Sequence, residues 1–524
     1  MISVLHRIGA ALLLAAAFSP LHAQPVNPTP VEHVVLVVWD GMRPDFVSPQ
    51  YCPTLYSLAT NGVFFRSHHP AYVSSTEVNG AALATGANPG HNGILANTEY
   101  DPDFSFLSSY ATEGTDAVRR GDVMTGGHYI QTPTVAEILH EAGIPTIISG
   151  SKPVAQFHDR SRVRTTPVQK QSVTLYEGKT IPRGLADKLK KVNDDKAFPP
   201  TITQPNTAQD NWTTRALTKE LWKGGIPKYT LLWLSDPDKS QHETGVGSPT
   251  SLEGIESSDK NLAEVVKTLK EKGVWEKTDL MVVSDHGFST ISRTPDVTAI
   301  LKKAGFQAFT KLEDPEKGDV MVVGLGGTAL LYVVQHDETV TRGLIDFLQT
   351  TPFAGAMFSR IPVEGTFPLE AVGYAQTNNA PDIILSLRWS SETNGYGAPG
   401  LITTVGGTAG KGSHASLSRF DMNNTLVGHG PDFKHGVVSH VPSGNVDVGP
   451  TILWLLGMEP PKSMDGRVLH EALSRSTTPP PVAEVKTLEA TRDVGLFRWE
   501  QYLKVSSVGG TRYFDEANGT AVPK

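Results

Sequence analysis

The sequence predicts an α/β fold in which a central, mostly parallel sheet is flanked by helices. Residues 32–39 (EHVVLVVW) and 280–284 (LMVVS) are apolar or small at nearly every position, as expected of strands covered on both faces. Residues 229–234 (YTLLWL) predict a third such strand. At 524 residues, the chain exceeds the roughly 250–300 residues at which a single core stops growing. We therefore expect one large elaborated domain or two domains.

The first 23 residues have the features of a secretory signal peptide. Arg7 lies in a short positive region, residues 8–18 are apolar, and Ala23 ends a small-residue stretch suited to cleavage. An uncleaved anchor is the alternative, but the apolar run is shorter than the roughly 20 residues of a spanning helix. We expect export to the periplasm or the outside, with no membrane span after signal cleavage. Residues 24–30 form a proline-rich linker.

Acidic residues follow each of the three predicted strands. Asp40 ends the first, Asp285 and His286 end the last, and Asp238 follows the strand at 229–234, four residues before His242. Open α/β sheets bind ligands at the carboxyl ends of their strands, and carboxylates with imidazoles are zinc ligands. The dipeptide at 285–286 therefore predicts half of a metal site. Alternatively, Asp285 only caps a turn and His286 only bonds to backbone.

Two further side chains are candidates for the chemistry itself. Thr76 follows Ser74 and Ser75 at the start of a helix-forming run. Such a hydroxyl is most often only an N-cap, but a helix amino end also favours anions, which suits a phosphate-like group over Thr76. Lys152 follows the predicted strand at 145–149 and either faces the site or is a solvated lysine.

The order of these segments predicts the domain organisation. We assign residues 32–294 and 405–475 to the core, residues 295–404 to an inserted, smaller α+β cap subdomain, and residues 476–524 to a linker and C-terminal tail. His414 lies in a glycine-rich loop of the second core segment, as a long-range ligand would need.

Composition excludes some classes of function. The net charge is −8, 19% of residues are charged and no basic run is present, which argues against nucleic acid as a stable partner. Cys52 is the only cysteine, so no intrachain disulfide can form.

In this order and context the candidate residues resemble the alkaline phosphatase superfamily, most closely its nucleotide pyrophosphatase/phosphodiesterase branch. The resemblance covers about residues 34–469. The matching motifs are WDGMRPD at 39–45, ATGANPGHNGILAN at 84–97, DPDKSQH at 236–242, VSDHGF at 283–288, GSHAS at 412–416, VDVGPTILWLLG at 446–457 and DGRVL at 465–469.

The resemblance implies an alkaline-phosphatase-like fold and a site with two zinc ions per chain that acts on a small phosphorylated substrate. It implies that Thr76 is the nucleophile and that Asn97 helps to bind a phosphoryl oxygen. One zinc would be held by Asp40, Asp285, His286 and the Thr76 oxygen, and the other by Asp238, His242 and His414. A zinc-bound hydroxyl can attack without a histidine base.

Two departures from the family pattern bear on the substrate. Where many nucleotide-cleaving members have TFPNH, this chain has TEVNG, so Glu77 replaces an aromatic that can stack on a base. Lys152 resembles a lysine of monoesterase members, but the arginine two positions on is replaced by Val154. Glu77 and Lys152 are therefore candidate substrate-binding residues, and we expect a preference for diester or pyrophosphate bonds.

Rival functions remain open at this stage. A phosphomonoesterase or phosphonate hydrolase on the same scaffold is one alternative, and a non-catalytic exported binding protein is another. The sulfatase branch is disfavoured because its nucleophile lies in CxPxR, whereas Cys52 lies in CPTLY.

Overall fold

The structure, a computed structural model, describes residues 31–375 and 377–524. The predicted signal peptide and the linker at 24–30 lie outside the described residues. In the described part of the chain, no helix is both long and apolar enough to cross a membrane.

Short and long strands alternate with helices along the chain. The strands up to residue 283 are β1 (His33–Trp39), β2 (Val63–Phe65), β3 (His68–His69), β4 (Thr98–Glu99), β5 (Tyr110–Ala111), β6 (Thr146–Gly150), β7 (Val173–Tyr176), β8 (Lys179–Ile181), β9 (Tyr229–Leu234) and β10 (Thr278–Val283). Those up to residue 403 are β11 (Ser289–Arg293), β12 (Ala308–Phe309), β13 (Val320–Gly324), β14 (Thr328–Val333), β15 (Ala354–Ser359), β16 (Phe367–Pro368), β17 (Ile383–Leu387), β18 (Trp389–Thr393) and β19 (Pro399–Thr403). The remaining described strands are β20 (Gly412–Ser413), β21 (Leu426–His429), β22 (Val437–Ser439), β23 (Ser443–Gly444), β24 (Ala483–Val494), β25 (Phe497–Val508) and β26 (Thr511–Pro523).

Helices pack on both faces of the largest sheet and around its edges. The described α-helices are α1 (Pro53–Asn61), α2 (Thr76–Thr85), α3 (Pro89–Asn92), α4 (Thr115–Thr125), α5 (Val135–Glu141), α6 (Pro167–Gln171), α7 (Ala186–Val192), α8 (Thr207–Arg215), α9 (Asp238–Thr244), α10 (Pro249–Glu271), α11 (Val297–Lys303), α12 (Glu338–Leu348) and α13 (Asn445–Leu455).

The largest sheet confirms the predicted fold class. Among the described residues it has nine strands in the order β22-β2-β21-β10-β1-β9-β6-β7-β8. β1 pairs in parallel with β9 and β10, and β6 pairs in parallel with β9 and β7. β21 and β8 are antiparallel to their neighbours, so the sheet is mostly parallel.

Burial on both faces explains the continuous apolar sequence of β1. Val34, Leu36 and Val38 pack into one hydrophobic cluster, while the alternating Val35 and Val37 pack into the cluster on the opposite face. Alternation of side chains across a strand requires apolar residues at every position when both faces are covered. β9 and β10 are likewise buried at every position and mostly apolar.

Smaller sheets lie beside the core, in agreement with an inserted subdomain. A mixed sheet in the order β12-β13-β14-β17-β15-β16 lies wholly between residues 308 and 387. A further sheet, β18-β19-β11-β20, joins strands of the predicted insert to strands that follow β10 and precede His414. The exact borders 295–404 stay a prediction.

The C-terminal segment contains strands that the sequence did not predict. β24, β25 and β26 form an antiparallel sheet, and Trp499 of β25 is fully buried with its indole Nε1 donating to Gly365 O at 2.9 Å. The Tyr513 hydroxyl of β26 donates to Asp447 Oδ2 at 2.8 Å. This sheet therefore contacts both the insert and core helix α13.

Candidate active site

The adjacency of three strands brings the predicted acids together. β9, β1 and β10 are neighbours and parallel, so their carboxyl ends lie at one edge of the sheet. The Asp238 N–H donates to Asp40 O at 2.9 Å, and the Gly41 N–H donates to Asp285 Oδ1 at 3.0 Å. These bonds hold the three strand ends in a fixed arrangement.

One group of potential metal ligands contains Asp40, Asp285 and His286. One ligand atom from each lies within 4.8 Å of the others. His286 Nε2 is 3.6 Å from Asp40 Oδ1 and 3.3 Å from Asp285 Oδ2. Thr76 Oγ1 lies 3.3 Å from His286 Nε2. All four residues are buried, so the groups that would act on a substrate are shielded from bulk water.

A second group adjoins the first and shares His286 with it. Ligand atoms of Asp238, His286 and His414 also lie within 4.8 Å of one another. Asp238 Oδ1 is 3.2 Å from His242 Nε2 and 3.7 Å from His414 Nε2. The rings of His286 and His414 stack with centroids 3.8 Å apart. The structure thus places all of the predicted ligands at one centre, and their division between two ions stays a prediction.

The three histidines are oriented in the same way. In each ring, Nδ1 lies at hydrogen-bond distance from a backbone carbonyl oxygen. The distances are 2.9 Å from His286 Nδ1 to Gly287 O, 2.9 Å from His414 Nδ1 to Ser74 O and 3.2 Å from His242 Nδ1 to Gly412 O. A carbonyl can only accept, so Nδ1 carries the proton in each ring. This tautomer leaves the Nε2 lone pair directed to the centre, as a metal-binding histidine requires.

Thr76 is the first residue of α2, and its surroundings contain the other candidate residues. Lys152 Nζ lies 3.3 Å from Thr76 Oγ1, 2.8 Å from Asp40 Oδ2 and 3.3 Å from Asp238 Oδ2. Asn97 Oδ1 accepts the Glu77 backbone N–H at 3.0 Å. That bond leaves the Asn97 amide nitrogen as the free donor beside the amino end of α2.

Burial and neighbouring charges shift the pKa values of the site. Burial opposes the charge of Asp238, but Lys152 and His242 outweigh it and hold the pKa of Asp238 well below its usual range. For Asp285, burial and the nearby Asp40 raise the pKa well above the usual range. Burial lowers the pKa of His286 and His414, which keeps both rings neutral and able to bind a metal.

The pKa values of Lys152 and Glu77 are both raised, although burial acts on the two groups in opposite directions. Burial disfavours the Lys152 ammonium, but Asp238 and Asp40 outweigh it and raise its pKa well above the usual range. Burial raises the pKa of Glu77 well above the usual range, and Glu113 adds to the effect. The buried Glu77 Oε2 has no hydrogen-bond partner among the described residues.

The residues present fit a divalent metal. Asp40, Asp238 and Asp285 are fully buried carboxylates, and Asp40 Oδ1 and Asp285 Oδ2 have no hydrogen-bond partner in the described part of the chain. An unpaired buried carboxylate oxygen is costly unless a cation binds it. A donor set of carboxylate oxygens and imidazole nitrogens suits zinc.

Several supporting residues escaped the sequence analysis. Trp233 Nε1 donates to Asp40 Oδ2 at 2.9 Å. Asn445 Nδ2 donates to Asp285 O at 2.6 Å and to Asn79 Oδ1 at 2.9 Å. Asn79 Nδ2 in turn donates to Ser75 O at 3.0 Å. These residues stabilise the strand ends and the turn before Thr76. Asn445 lies next to a recognisable motif at 446–457, but no local pattern shows what it contacts.

The fold and the site define a class: an α/β protein with a hydroxyl nucleophile candidate beside a carboxylate–histidine metal centre. The family model described as type I phosphodiesterase / nucleotide pyrophosphatase matches residues 34–399. That match covers more than half of the chain, so the protein belongs to this family. The resemblance inferred from the sequence motifs is confirmed.

Curated relatives match at low identity. Venom phosphodiesterase CdcPDE of Crotalus durissus collilineatus is 23% identical over 261 residues, which is 49% of this chain and 26% of that protein. Bis(5'-adenosyl)-triphosphatase enpp4 of Xenopus laevis is 23% identical over 267 residues, 49% of this chain and 48% of that protein. The matched part of this chain therefore spans about a quarter to a half of the length of these relatives.

Solved structures show the same fold. Murine ectonucleotide pyrophosphatase/phosphodiesterase 5 superposes with a TM-score of 0.57 at 17% identity, covering 84% of this chain and all of that one. The inactive variant of the murine protein, in complex with AMP, gives the same values. The human protein gives a TM-score of 0.56 at 16% identity, again with 84% and 100% coverage. The alkaline-phosphatase-like fold predicted from the sequence is confirmed.

Proposed function

We propose that the protein is an exported, zinc-dependent hydrolase that cleaves phosphodiester or pyrophosphate bonds through a phosphorylated Thr76. The observation that carries the proposal is the position of Thr76 Oγ1, 3.3 Å from both His286 Nε2 and Lys152 Nζ at the amino end of a buried helix. Membership of the phosphodiesterase family supports it. The named activities of the relatives, a phosphodiesterase and a bis(5'-adenosyl)-triphosphatase, favour the same bond classes.

The first zinc would be held by Asp40, Asp285, His286 and Thr76, and the second by Asp238, His242 and His414. When bound, such ions supply positive charge that lowers the pKa of a hydroxyl or water and neutralises phosphoryl oxygens. His286 lies within 4.8 Å both of Asp40 and Asp285 and of Asp238 and His414. The two groups of ligands are therefore neighbours, which fits two cations that lie close together.

The residues of the chain supply the rest of the reaction. Thr76 Oγ1 loses its proton to solvent and forms a bond to phosphorus while the bond from phosphorus to the leaving oxygen breaks, and the electron pair stays on that oxygen. Water then attacks the phosphorylated Thr76 and loses a proton, the bond from phosphorus to Oγ1 breaks, Oγ1 takes up a proton again, and the phosphorylated product leaves. Two in-line displacements give net retention at phosphorus.

Three groups orient the phosphoryl group during these steps. The amino end of α2 attracts its negative charge, the free Asn97 amide donates to one oxygen, and the Lys152 ammonium attracts another. Glu77 places a buried side chain where many relatives have an aromatic, so the proposal does not extend to nucleotides as the natural substrate. The contact between Lys152 and Thr76 also favours some monoesterase activity as a second function on the same site.

The proposal is tested first at Thr76. Loss of a covalent nucleophile removes the first displacement, so Thr76→Ala should lower kcat for bis-p-nitrophenyl phosphate by about 10³-fold or more. The rate of p-nitrophenolate release is measured at 400 nm under saturating substrate.

Ser75→Ala is the matched control, because the Ser75 hydroxyl is buried, precedes Thr76 in the chain and has no hydrogen-bond partner among the described residues. It should retain activity within a few fold, and mass spectrometry of protein rapidly acid-quenched during turnover should find a p-nitrophenylphosphoryl group on Thr76. Near wild-type turnover by Thr76→Ala would show that another group is the nucleophile.

A further inference from the structure

A cleft of about 640 Å³ opens beside the His242 end of the site. It is lined by Lys239, His242 and Glu243 of α9 and by the glycine-rich loop at 405–413. Gly326, which bridges to Val405, brings the loop between β13 and β14 to the rim. The cleft is therefore bounded by the core on one side and by the smaller sheets on the other.

The geometry of the displacement relates this cleft to the leaving group. In an in-line reaction the leaving group departs from the face of phosphorus opposite the attacking Thr76 Oγ1. Thr76 contacts His286 and Lys152, whereas His242 and the neighbour of His414, Ser413, line the cleft. His242, which lies 3.2 Å from Asp238 in the site, also lines the cleft, so the cleft adjoins the site and can receive the group attached to the leaving oxygen.

The charges of the side chains that line the cleft do not sum to zero. Lys411 Nζ lies 2.7 Å from Glu243 Oε2, so these two charges neutralise each other. Lys239 Nζ lies 3.8 Å from Asp238 Oδ2, but that carboxylate also contacts Lys152 Nζ at 3.3 Å. The Lys239 side chain is 30% exposed. Among the described residues that line the cleft, two lysines, Lys239 and Lys411, stand against one carboxylate, Glu243, so Lys239 gives the lining one more positive than negative charge.

The cleft also lacks a platform for a nucleobase. Among the described residues that line it, His242 is the only one with an aromatic ring. Apart from the charged Lys239, Glu243 and Lys411, the other lining groups are glycine backbone, hydroxyls, an amide and aliphatic chains. Polar surroundings of this kind suit a hydrophilic leaving group.

We propose that Lys239 selects substrates whose leaving group carries a negative charge of its own, such as a carboxylated or phosphorylated alcohol. The inference rests on the proposed function and adds the class of leaving group to it. Glu243 limits the selectivity, because it neutralises the second lysine of the cleft. Removing the Lys239 charge and removing the Glu243 charge should therefore have opposite effects.

The test uses two diesters that transfer the same methylphosphoryl group. Methyl p-nitrophenyl phosphate has an uncharged leaving arm, and methyl 3-carboxy-4-nitrophenyl phosphate adds one carboxylate to that arm. The quantity measured is the ratio of kcat/KM for the carboxylated substrate to that for the uncharged one. Using the ratio cancels effects on the shared chemical step.

Lys239→Gln should lower this ratio by about three- to tenfold, as expected for one partly exposed charge pair. Glu243→Gln should raise it, and Lys239→Arg should keep it near the wild-type value. Raising the ionic strength from about 0.05 to 0.5 M should lower the wild-type ratio, because salt screens exposed charges, and should affect Lys239→Gln less.

The outcomes separate this inference from the function on which it rests. A wild-type protein that hydrolyses the uncharged diester, with a ratio unchanged in both glutamine variants and by salt, overturns the inference and leaves the function standing. Hydrolysis of neither diester overturns both. If Lys239→Gln does not fold, the opposite change in Glu243→Gln and the salt dependence still decide the question.

Discussion

At the scale of single residues, the site is dominated by an excess of buried negative charge. Asp40, Asp238 and Asp285 are fully buried, and Lys152 is the cation that contacts two of them. Lys152 also reaches Thr76 Oγ1, so it can attract a phosphoryl oxygen during the reaction. The sequence left open whether Lys152 is a solvated lysine; the structure places its side chain buried against these carboxylates, and its role in binding the substrate stays a prediction.

Lys152 should matter more for monoesters than for diesters. A monoester carries nearly two negative charges at neutral pH and a diester one, so loss of a nearby cation penalises the monoester more. Lys152→Met keeps the aliphatic chain and removes the charge. We expect kcat/KM for p-nitrophenyl phosphate to fall about tenfold more than that for bis-p-nitrophenyl phosphate, with the diester favoured in the wild type.

The exposed Lys170 on α6 provides the control, and Lys170→Met should leave both values unchanged. Zinc content is measured alongside, because Lys152 contacts two proposed ligands. A wild-type preference for the monoester that Lys152→Met removes would replace the diesterase assignment with a monoesterase.

At the scale of elements, α2 is positioned by close packing against the turn that follows Lys152. Every residue of α2 is buried. A Cβ atom added to Gly80 would lie 2.3 Å from Val154 Cγ2, and Val154 is itself fully buried in the turn Pro153–Phe157. Glycine at 80 therefore allows the helix that begins with Thr76 to approach the segment that carries Lys152.

Gly80→Ala should separate these two elements. Alanine gains up to about 1 kcal/mol of helix propensity, but overpacking a buried contact costs about 1–3 kcal/mol. Because Val154 is fully buried, we expect a net loss of about 1 kcal/mol or more, measured by urea unfolding. A shift of the helix start should also lower kcat by about tenfold or more, because catalytic groups tolerate little displacement.

Gly224→Ala is the matched substitution, since a Cβ there meets nothing within 4 Å. It should change the free energy of unfolding by less than about 0.5 kcal/mol. A Gly80→Ala protein as stable and as active as Gly224→Ala would mean that the two elements can move apart freely.

At the scale of the whole molecule, the sequence predicted the parts that depend on local pattern. β1, β9 and β10 are mostly apolar because both faces are covered, and acids at the ends of parallel strands must meet at one edge of the sheet. The sharing of His286 by two groups could not be predicted, because it depends on the distance between β10 and the loop of His414. The strands β24–β26 were missed because β24 is mostly exposed and its polar sequence resembles a linker.

The proposed zinc ions should stabilise the whole core. Their ligands come from β1, α9, the end of β10 and the loop at 412–416, which are far apart in the chain. Binding to the folded state alone raises the free energy of unfolding by about 2.7 kcal/mol when free zinc is 100 times the dissociation constant. Removal of zinc with a chelator should therefore lower the midpoint of thermal unfolding and abolish activity, and re-addition should restore both.

Metal content distinguishes the ligands. Mature protein should contain close to two zinc ions per chain by elemental analysis. His242→Ala and His286→Ala should each lose about one, because each side chain is a proposed ligand of one ion: the His286 Nδ1–H donates to Gly287 O and leaves Nε2 as its single ligand atom. His336→Ala, at a half-exposed histidine paired with Asp382, should keep both ions. Full activity in zinc-free protein, or equal metal content in all three variants, would contradict a two-zinc centre at these residues.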